Sequence, residues 1–233
     1  MANRPIFIPE PDGALVVEQS VEFEWFPGQS IARKQLNIDA LHKAALIGYD
    51  VAPLEVSTKS THPLGVSLSA FRLSINTKMF DLPILLEAAY QGSKILSDTG
   101  HLTHLYSYQS GRDIKNYLNA HSDEQLVGFE YESRRWELKP DTAFYDWLYV
   151  TAVHQTLEDK PEAHDELSTF DAFTDIEFNP KRGINCQARA CALYVALSAN
   201  HLLDQATQSP ETFVNIVREF GYGTGPIQAV LDL

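Results

Sequence analysis

The segment LPILLEAAYQGSKIL, Leu82 to Leu96, carries the pattern on which the fold and the candidate site depend. Four polar residues in it are spaced at i, i+3, i+4 and i+7, so a helix would place them on one face: Glu87, Tyr90, Gln91 and Lys94. Nearly all the other positions are apolar, which is typical of a substantially buried helix. We therefore predict a helix over 82–96, whose polar stripe either lines a cavity or forms a solvated outer face.

The flanking sequence predicts a mixture of strands and helices. Alternating apolar and polar residues predict strands at Val21–Phe26 and Gly65–Ile75 and a hairpin over Val127–Leu138 that turns near Ser133. The polar stretch 158–169 predicts a surface loop. Helices are expected over Ile31 to Leu46 with Ser30 as its cap, Leu102 to Ala120 in one or two pieces, Phe144 to Leu157, Ile184 to Leu203, and Pro210 to Gly221. The fold class is therefore α+β, a helix-rich single domain over 1–233 with a small sheet.

Composition excludes several classes of protein. Lys and Arg number 18 against 31 Asp and Glu, a net charge of −13, which disfavours sequence-independent coating of nucleic acid. The two cysteines, Cys186 and Cys191, point apart on a predicted helix and suit neither a disulfide nor a shared metal site. With no signal peptide and no apolar run of about 18 residues, we expect a cytoplasmic protein without a membrane span. Motifs for nucleotide-phosphate loops, zinc hydrolases and serine hydrolases are absent, and we predict no metal and no cofactor.

Three other clusters could bind a ligand. The aromatic run Phe144–Tyr149 surrounds Asp146 and could stack on a flat ring, or it could be a core helix. The donor-rich turn Asn179–Gln187 precedes a helix and could hold an anion, although ordinary capping explains it equally well. The turn Ser57–Ser60, which contains Lys59, could hold a phosphate or be a plain surface turn.

Several segments together resemble one known family. Glu-x-x-Tyr-Gln-x-x-Lys, at Glu87–Lys94, resembles the core motif of the NADAR (YbiA-like, DUF1768) superfamily. Five further segments are similar, in the same order, to NADAR antitoxins associated with DarT1 toxins: VEFEWFPG, LEVSTKSTHPLG, LSAFRL, TAFYDWLY and EFNPKRGINCQARACAL. The resemblance extends from about Arg4 to Leu203. It implies a YbiA-like α+β fold, in agreement with the prediction from the residues.

The resemblance also implies a function. DarT1-type toxins attach ADP-ribose from NAD to guanine in DNA, and their NADAR partners remove it, which implies an ADP-ribosyl glycohydrolase. The implied substrate is ADP-ribosylated guanine in DNA, single-stranded or flipped out of the duplex, with a DarT1-like toxin as genetic partner. The implied catalytic residues are Glu87 and Lys94. Candidate substrate-binding residues are Lys59, Ser69, Phe71, Tyr90, Gln91, Tyr145, Asp146, Trp147, Lys181 and Asn185. Two positions depart from the expected pattern, since Ala70 replaces an Asn and Arg72 replaces a neutral polar residue.

Alternatives remain at this point. Glu87 could stabilise a positively charged ribose or activate water, and Lys94 could pair with Glu87, bind diphosphate or attack the ribose as a nucleophile. The protein could instead be an N-glycosidase of a riboflavin-pathway or ADP-ribose-containing metabolite. It could also be a non-catalytic protein that binds ADP-ribose or the toxin itself.

Overall fold

The computed structural model describes residues 1–108, 110–139, 142–181 and 183–221, and within them the chain forms an α+β fold. The helices are α1 (Ile31–Tyr49), α2 (Pro63–Ser67), α3 (Leu86–Gly92), α4 (Gly111–Asn119), α5 (Ala143–Leu157), α6 (Pro161–Leu167), α7 (Gln187–Ala199), α8 (Leu203–Gln208) and α9 (Pro210–Glu219), with a 3₁₀ helix at Thr103–Ser107. The strands are β1 (Ala2–Glu10), β2 (Leu15–Phe23), β3 (Pro53–Glu55), β4 (Ser74–Ile75), β5 (Ile84–Leu85), β6 (Lys94–Leu96), β7 (Gly100–His101), β8 (Leu126–Tyr131), β9 (Arg134–Trp136) and β10 (Ala172–Thr174).

The first sheet joins the start of the chain to its later part. Strands β1 and β2 form a long hairpin in which Ala2 lies opposite Phe23. Strand β10 pairs antiparallel with β1, placing Phe173 opposite Phe7, and β3 pairs parallel with β10. The strand order is therefore β2-β1-β10-β3. This order brings the segment that follows β10 close to the segment that follows β3.

Helices cover both faces of this sheet. On one face, Ile38 and Leu41 of α1 pack in an apolar cluster with Ile6 of β1. On the other face, Phe7 and Phe173 belong to the main core, which includes the apolar side of α7. Because successive side chains of a strand point to opposite faces, adjacent residues in β1, and likewise in β10, pack into two separate apolar clusters.

Helix α5 lies at the centre of the main core. Nearly every residue from Ala143 to Val153 is buried, and the helix packs against α3 and α7. A helix that is apolar on all sides is expected to be surrounded by protein. The rings of Phe144 and Trp147 contact Trp136 at centroid distances of 5.1 and 5.3 Å. The aromatic run of the sequence is thus chiefly a core helix.

The predicted helix over 82–96 is wrong in its extent. Only Leu86–Gly92 is helical, because the residues before and after it pair as strands. Ile84–Leu85 pairs with Ser74–Ile75, and Lys94–Leu96 pairs with β8 and β7. Backbone pairing and burial in a sheet outweigh the local preference for helix, as they commonly do for β-branched and apolar residues.

The predicted strand over Gly65–Ile75 is also wrong for most of its length. Pro63 begins a short helix, α2, and the ring Nδ1 of His62 accepts a hydrogen bond from the backbone N–H of Leu64 at 3.3 Å. Proline suits the first position of a helix, where its missing N–H costs nothing. Only Ser74–Ile75 at the end of the segment is extended.

Other segments also differ from expectation. The polar stretch 158–169 contains α6, which begins at a proline and buries Leu167. The helix expected over 184–203 covers only Gln187–Ala199, and His201 then takes a left-handed backbone conformation with φ of 56° before α8 begins. Strands β1 and β7 were not predicted, and the strand predicted over Val21–Phe26 is β2, which begins at Leu15 and ends at Phe23.

Other local predictions are confirmed. The Ser30 hydroxyl accepts a hydrogen bond from the N–H of Arg33 and caps α1. Strands β8 and β9 form the predicted hairpin, with positive φ at Glu132 and Ser133. Ser209 caps α9. Both cysteines are buried and free. The segment beyond Gly221, in which the sequence suggested a flexible glycine-rich stretch up to Gly225, lies outside the described residues.

In the part of the chain that the structure describes, none of the helices combines the length and the apolar character needed to cross a membrane.

Gly92 is a position where we predict that an added methyl group destabilises the fold. A Cβ at Gly92 would lie 2.5 Å from a ring carbon of Tyr106. This ring cannot move easily, because its hydroxyl bonds Ser93 and the carbonyl of Glu130. We expect Gly92→Ala to lower the free energy of unfolding by about 1–3 kcal/mol in urea denaturation. Gly48→Ala is the matched control, because nothing lies within 4 Å of its added Cβ. Equal stability of the two variants would contradict the close approach at Gly92.

Candidate active site

A cavity of about 590 Å³ opens beside α3. Its walls come from α3 with the start of β6, the turn after α2, helix α5, the turn between α4 and β8, and the segment that leads into α7. Seven residues proposed from the sequence line it: Phe71, Glu87, Tyr90, Gln91, Lys94, Tyr145 and Asn185. The size falls within the range of about 300–1,000 Å³ that is usual for ligand sites.

Helix α3 presents a carboxyl group and an amide, one turn apart, to this cavity. The Gln91 Nε2 donates a hydrogen bond to the Glu87 Oε1 at 3.0 Å. Burial raises the pKa of Glu87, while the bond from Gln91 and the charge of Lys94 act in the opposite direction. Glu87 therefore holds a proton more readily than an exposed glutamate does, and this property suits a group that accepts and releases protons.

Lys94 reaches the same place from a strand. It is the first residue of β6, opposite Phe129 in β8, and its Nζ lies 5.3 Å from the centre of the Tyr90 ring. A cation over an aromatic face is attracted to it. Burial lowers the pKa of Lys94, and the charge of Glu87 partly restores it. The four polar residues of the segment thus meet at one cavity, although α3 ends before Lys94.

Tyr90 connects α3 to the segment before α7. Its hydroxyl accepts a hydrogen bond from the Asn185 Nδ2 at 2.6 Å. Its ring packs against Phe144 at 6.0 Å and edge-on against Tyr145 at 5.2 Å, measured between ring centroids. Burial raises the pKa of Tyr90, so the phenol stays neutral. The Tyr90 ring therefore forms one wall of the cavity, and its hydroxyl holds the Asn185 side chain in place.

Five residues proposed from the sequence do not line this cavity: Lys59, Ser69, Asp146, Trp147 and Lys181. The Lys59 Nζ bonds the hydroxyl of its neighbour Thr58 at 2.8 Å. Lys181 is exposed, and its N–H donates to the Asn179 side chain within the turn. Arg182, its neighbour in the sequence, lies outside the described residues.

The other three are buried in the protein. Trp147 packs against Trp136 and Tyr131 and borders a separate cavity of about 380 Å³. Since Tyr145 lines the first cavity, a residue two positions further along a helix points to a different side. Asp146 is completely buried in α5. Ser69 lies behind the cavity, where its hydroxyl is 3.4 Å from the side-chain oxygen of Gln187.

Asp175 and Gln187 also line the cavity. Gln187 ends the donor-rich turn that the sequence offered as an anion site, whereas Asp175 was not proposed. The Gln187 Nε2 donates to the Asp175 Oδ2 at 2.8 Å, and its Oε1 accepts from the N–H of Ala70 at 2.8 Å. A signal for Asp175 was available, because Thr174-Asp175-Ile176-Glu177 alternates directly after the apolar residues of β10. The spatial partnership with Gln187 could not be inferred from the sequence.

A second acid, Glu55, is completely buried beside β10. It accepts hydrogen bonds from Ser57 at 2.6 Å, from the Thr174 hydroxyl at 2.7 Å and from the N–H of Ile176 at 2.9 Å. Burial, with the negative charge of Asp175, raises the pKa of Glu55 to about 8. His42 bonds the same threonine hydroxyl at 2.8 Å, and burial lowers its pKa to about 4. These two groups give the fold a pH-dependent stability.

The residues that the structure describes include no group of three or more His, Cys, Asp or Glu side chains placed to hold a metal ion.

We predict that the wild-type protein loses stability between pH 6.5 and 8.5 and that Glu55→Gln abolishes most of this loss. The pKa of Glu55 rises from 4.5 to about 8 on folding, so the folded state binds more protons and is destabilised as pH rises. The slope is at most about 1.4 kcal/mol per pH unit. His42 makes stability rise with pH instead, because folding lowers its pKa, but this effect acts only below the ordinary histidine pKa of 6.5. Urea denaturation at several pH values measures the slope, and an equal slope in both proteins would contradict the assignment.

Comparison with known proteins identifies the family. The sequence profile NADAR-DarT1, described as DarT1-associated NADAR antitoxin, matches residues 2–223. No curated protein matches the chain. The match covers nearly the whole sequence, including every residue of the cavity described above. The chain therefore belongs to the family of DarT1-associated NADAR antitoxins.

Proposed function

We propose that the protein is an ADP-ribosyl glycohydrolase that removes ADP-ribose from guanine bases of DNA and so reverses the action of a DarT1-like toxin. The observation that carries this proposal is the partly buried Glu87, close enough to Lys94 for the lysine charge to lower its pKa, in a ligand-sized cavity. The family supports it, since its antitoxins are associated with DarT1. Burying two ionisable groups is costly, and a site that only bound its ligand would have little need of the pair.

The reaction is a hydrolysis of an N-glycosidic bond. A water oxygen bonds to C1 of the ribose, the C1–N bond breaks, and its electron pair stays on the base nitrogen, which takes up a proton. The ribose ring gains positive charge in the transition state. Glu87, ionised, accepts the proton of the attacking water and stabilises that charge. Because burial raises its pKa, the protonated Glu87 can then return the proton.

Lys94 maintains the reactive form of Glu87. Its charge opposes the effect of burial and favours the ionised carboxylate. No direct ion pair joins the two side chains among the described residues, and the Glu87 Oε1 instead accepts from Gln91. The carboxylate is therefore oriented by a neutral amide and stabilised by a nearby cation, which leaves one of its oxygens available for water.

The mouth of the cavity suits a single flat base. Phe71 and Ile184 both line the cavity, yet their side chains are 53% and 41% exposed. Apolar side chains exposed at a cavity are available to pack on the face of a ring. The net charge of −13 disfavours extended contact with a long DNA backbone. A guanine stacked inside a duplex cannot enter a cavity, so the proposed substrate is an ADP-ribosylated guanine in single-stranded DNA or one flipped out of a duplex.

We predict that Glu87→Gln lowers the rate of ADP-ribose release by about 100-fold or more, because the amide cannot accept a proton. The substrate is a DNA oligonucleotide ADP-ribosylated on guanine, and chromatography measures the release. Glu22→Gln, an exposed change in β2, is the matched control and should keep the wild-type rate. A Glu87→Gln variant that folds and cleaves at the wild-type rate would refute the catalytic assignment.

The same assay separates the alternatives. A protein that only binds ADP-ribose would retain affinity in calorimetry and release nothing, with or without Glu87. An N-glycosidase of a small metabolite would cleave free ribosylated nucleosides and leave the modified oligonucleotide intact. Either outcome contradicts the proposal.

Lys94 variants test how the cation acts. We expect Lys94→Met to raise the pKa of Glu87 further, so that the acid limb of the pH–rate profile moves to higher pH and the rate at neutral pH falls. Lys94→Arg keeps the charge and should keep the position of the limb. An inactive Lys94→Arg, together with trapping of a covalent adduct by cyanoborohydride in the wild type, would show instead that Lys94 is a nucleophile. Lys43→Met on the exposed side of α1 is the control.

A further inference from the structure

Two acids, Glu55 at the end of β3 and Asp175 directly after β10, lie on opposite faces of the first sheet. Thr174 bonds Glu55, and Ile176 packs with α1, so these residues face the α1 layer. Phe173 belongs to the main core on the other face, and Asp175, two residues further on, bonds Gln187 there. Asp175 thus faces the cavity, while Glu55 lies behind the sheet.

The carboxyl group of Asp175 is held rigidly by neutral donors. Its Oδ2 accepts from the Gln187 Nε2 at 2.8 Å and its Oδ1 from the N–H of Glu177 at 3.0 Å. The Gln187 amide cannot exchange the positions of its oxygen and nitrogen without losing hydrogen bonds, because its oxygen accepts from the N–H of Ala70. No cation contacts Asp175 among the residues that the structure describes.

A carboxylate in this position can accept further hydrogen bonds. It has about four acceptor positions, and donors from Gln187, Glu177 and Phe178 leave one of them open. Burial raises the pKa of Asp175 to about 6, so the group is largely ionised at neutral pH, and no cation among the described residues forms an ion pair with it. Ligand groups that suit it are hydroxyl and N–H donors, because a phosphate would be repelled.

Tyr145 locates Asp175 relative to Glu87. The pKa of this buried phenol is raised chiefly by burial, and the charges of both Glu87 and Asp175 raise it further. All three residues line the same cavity. The two carboxyl groups therefore enter the cavity near one aromatic wall, Glu87 with Lys94 nearby and Asp175 without an ion pair in the part of the chain that the structure describes. Because their surroundings differ, we expect the carboxyl groups of Glu87 and Asp175 to have different roles in the site.

We propose that Asp175 accepts a hydrogen bond from the ribose hydroxyl on the carbon next to the bond that is broken. This proposal rests on the proposed function and assigns the sugar part of its substrate to a specific group. Such a bond strengthens as the ring becomes positive in the transition state. Gln187 and Ser69 act through Asp175 as positioning residues, because they bond each other and hold the carboxylate in place.

The test is a double-mutant cycle of binding affinities, in which one change is made in the protein and the other in the ligand. Calorimetry measures the binding of ADP-ribose and of its analogue that lacks the 2-hydroxyl of the terminal ribose, to wild type and to Asp175→Asn. We expect each single change to weaken binding by about 10- to 100-fold, the usual range for a hydrogen bond to a charged group. The two changes together should weaken it no more than either alone. Asp12→Asn, an exposed change, is the control and should leave both affinities unchanged.

Two results would overturn the proposal. Additive losses would show that Asp175 and the hydroxyl do not interact. A structure of the wild type with ADP-ribose in which no Asp175 oxygen lies within hydrogen-bond distance of that hydroxyl would show the same, and it needs no variant that could fail to fold. The role of Asp175 and the proposed reaction can be contradicted separately. Non-additive binding without release of ADP-ribose from guanine would contradict the proposed function alone, whereas release with additive binding would contradict only the role of Asp175.

Discussion

The proximity of the partly buried Glu87 carboxyl group and Lys94 ammonium group is the constraint on which the site depends. Removing either charge from water costs free energy that the other charge partly offsets, and burial shifts the pKa values of both groups toward their neutral forms. The fold meets this requirement by ending α3 at Gly92 and placing Lys94 at the start of β6. Pairing of β6 with β8 then fixes the lysine in position over the Tyr90 ring.

The first sheet completes the site from the opposite side. Thr174, the last residue of its strand β10, bonds Glu55, and Asp175 directly after the strand lines the cavity. The end of one short strand therefore supports both the candidate site and a buried acid that influences stability. The Gln187 amide connects this strand to the turn at Ala70. Changes in the sheet are therefore expected to reach the cavity through Gln187 and through Asp175, which was not proposed from the sequence.

The sequence predicted the fold class and the central polar group but not the geometry that joins them. Spacing alone brought Glu87, Tyr90, Gln91 and Lys94 together, and they do meet, although Lys94 lies on a strand. Local pattern could not reveal that Ile84 pairs with the preceding strand β4 or that Ile95 pairs with the more distant strand β8, because strand partners are set by tertiary structure. The buried helix α5 was predicted, but its sequence did not show that Tyr145 points to the candidate site and Trp147 to a different cavity. Packing of the helix in the core determines which residues face which side.

Intact-mass spectrometry of a guanine-ADP-ribosylated oligonucleotide, incubated with the purified wild-type protein, shows directly whether the protein is an ADP-ribosyl glycohydrolase. We expect loss of one ADP-ribose and recovery of the oligonucleotide with unmodified guanine, because water attacks the ribose carbon and the base keeps its own bond to DNA. An unchanged mass, from protein that still binds ADP-ribose, would contradict the proposed hydrolysis. So would an abasic product, because that would place the cleaved bond between guanine and the DNA sugar.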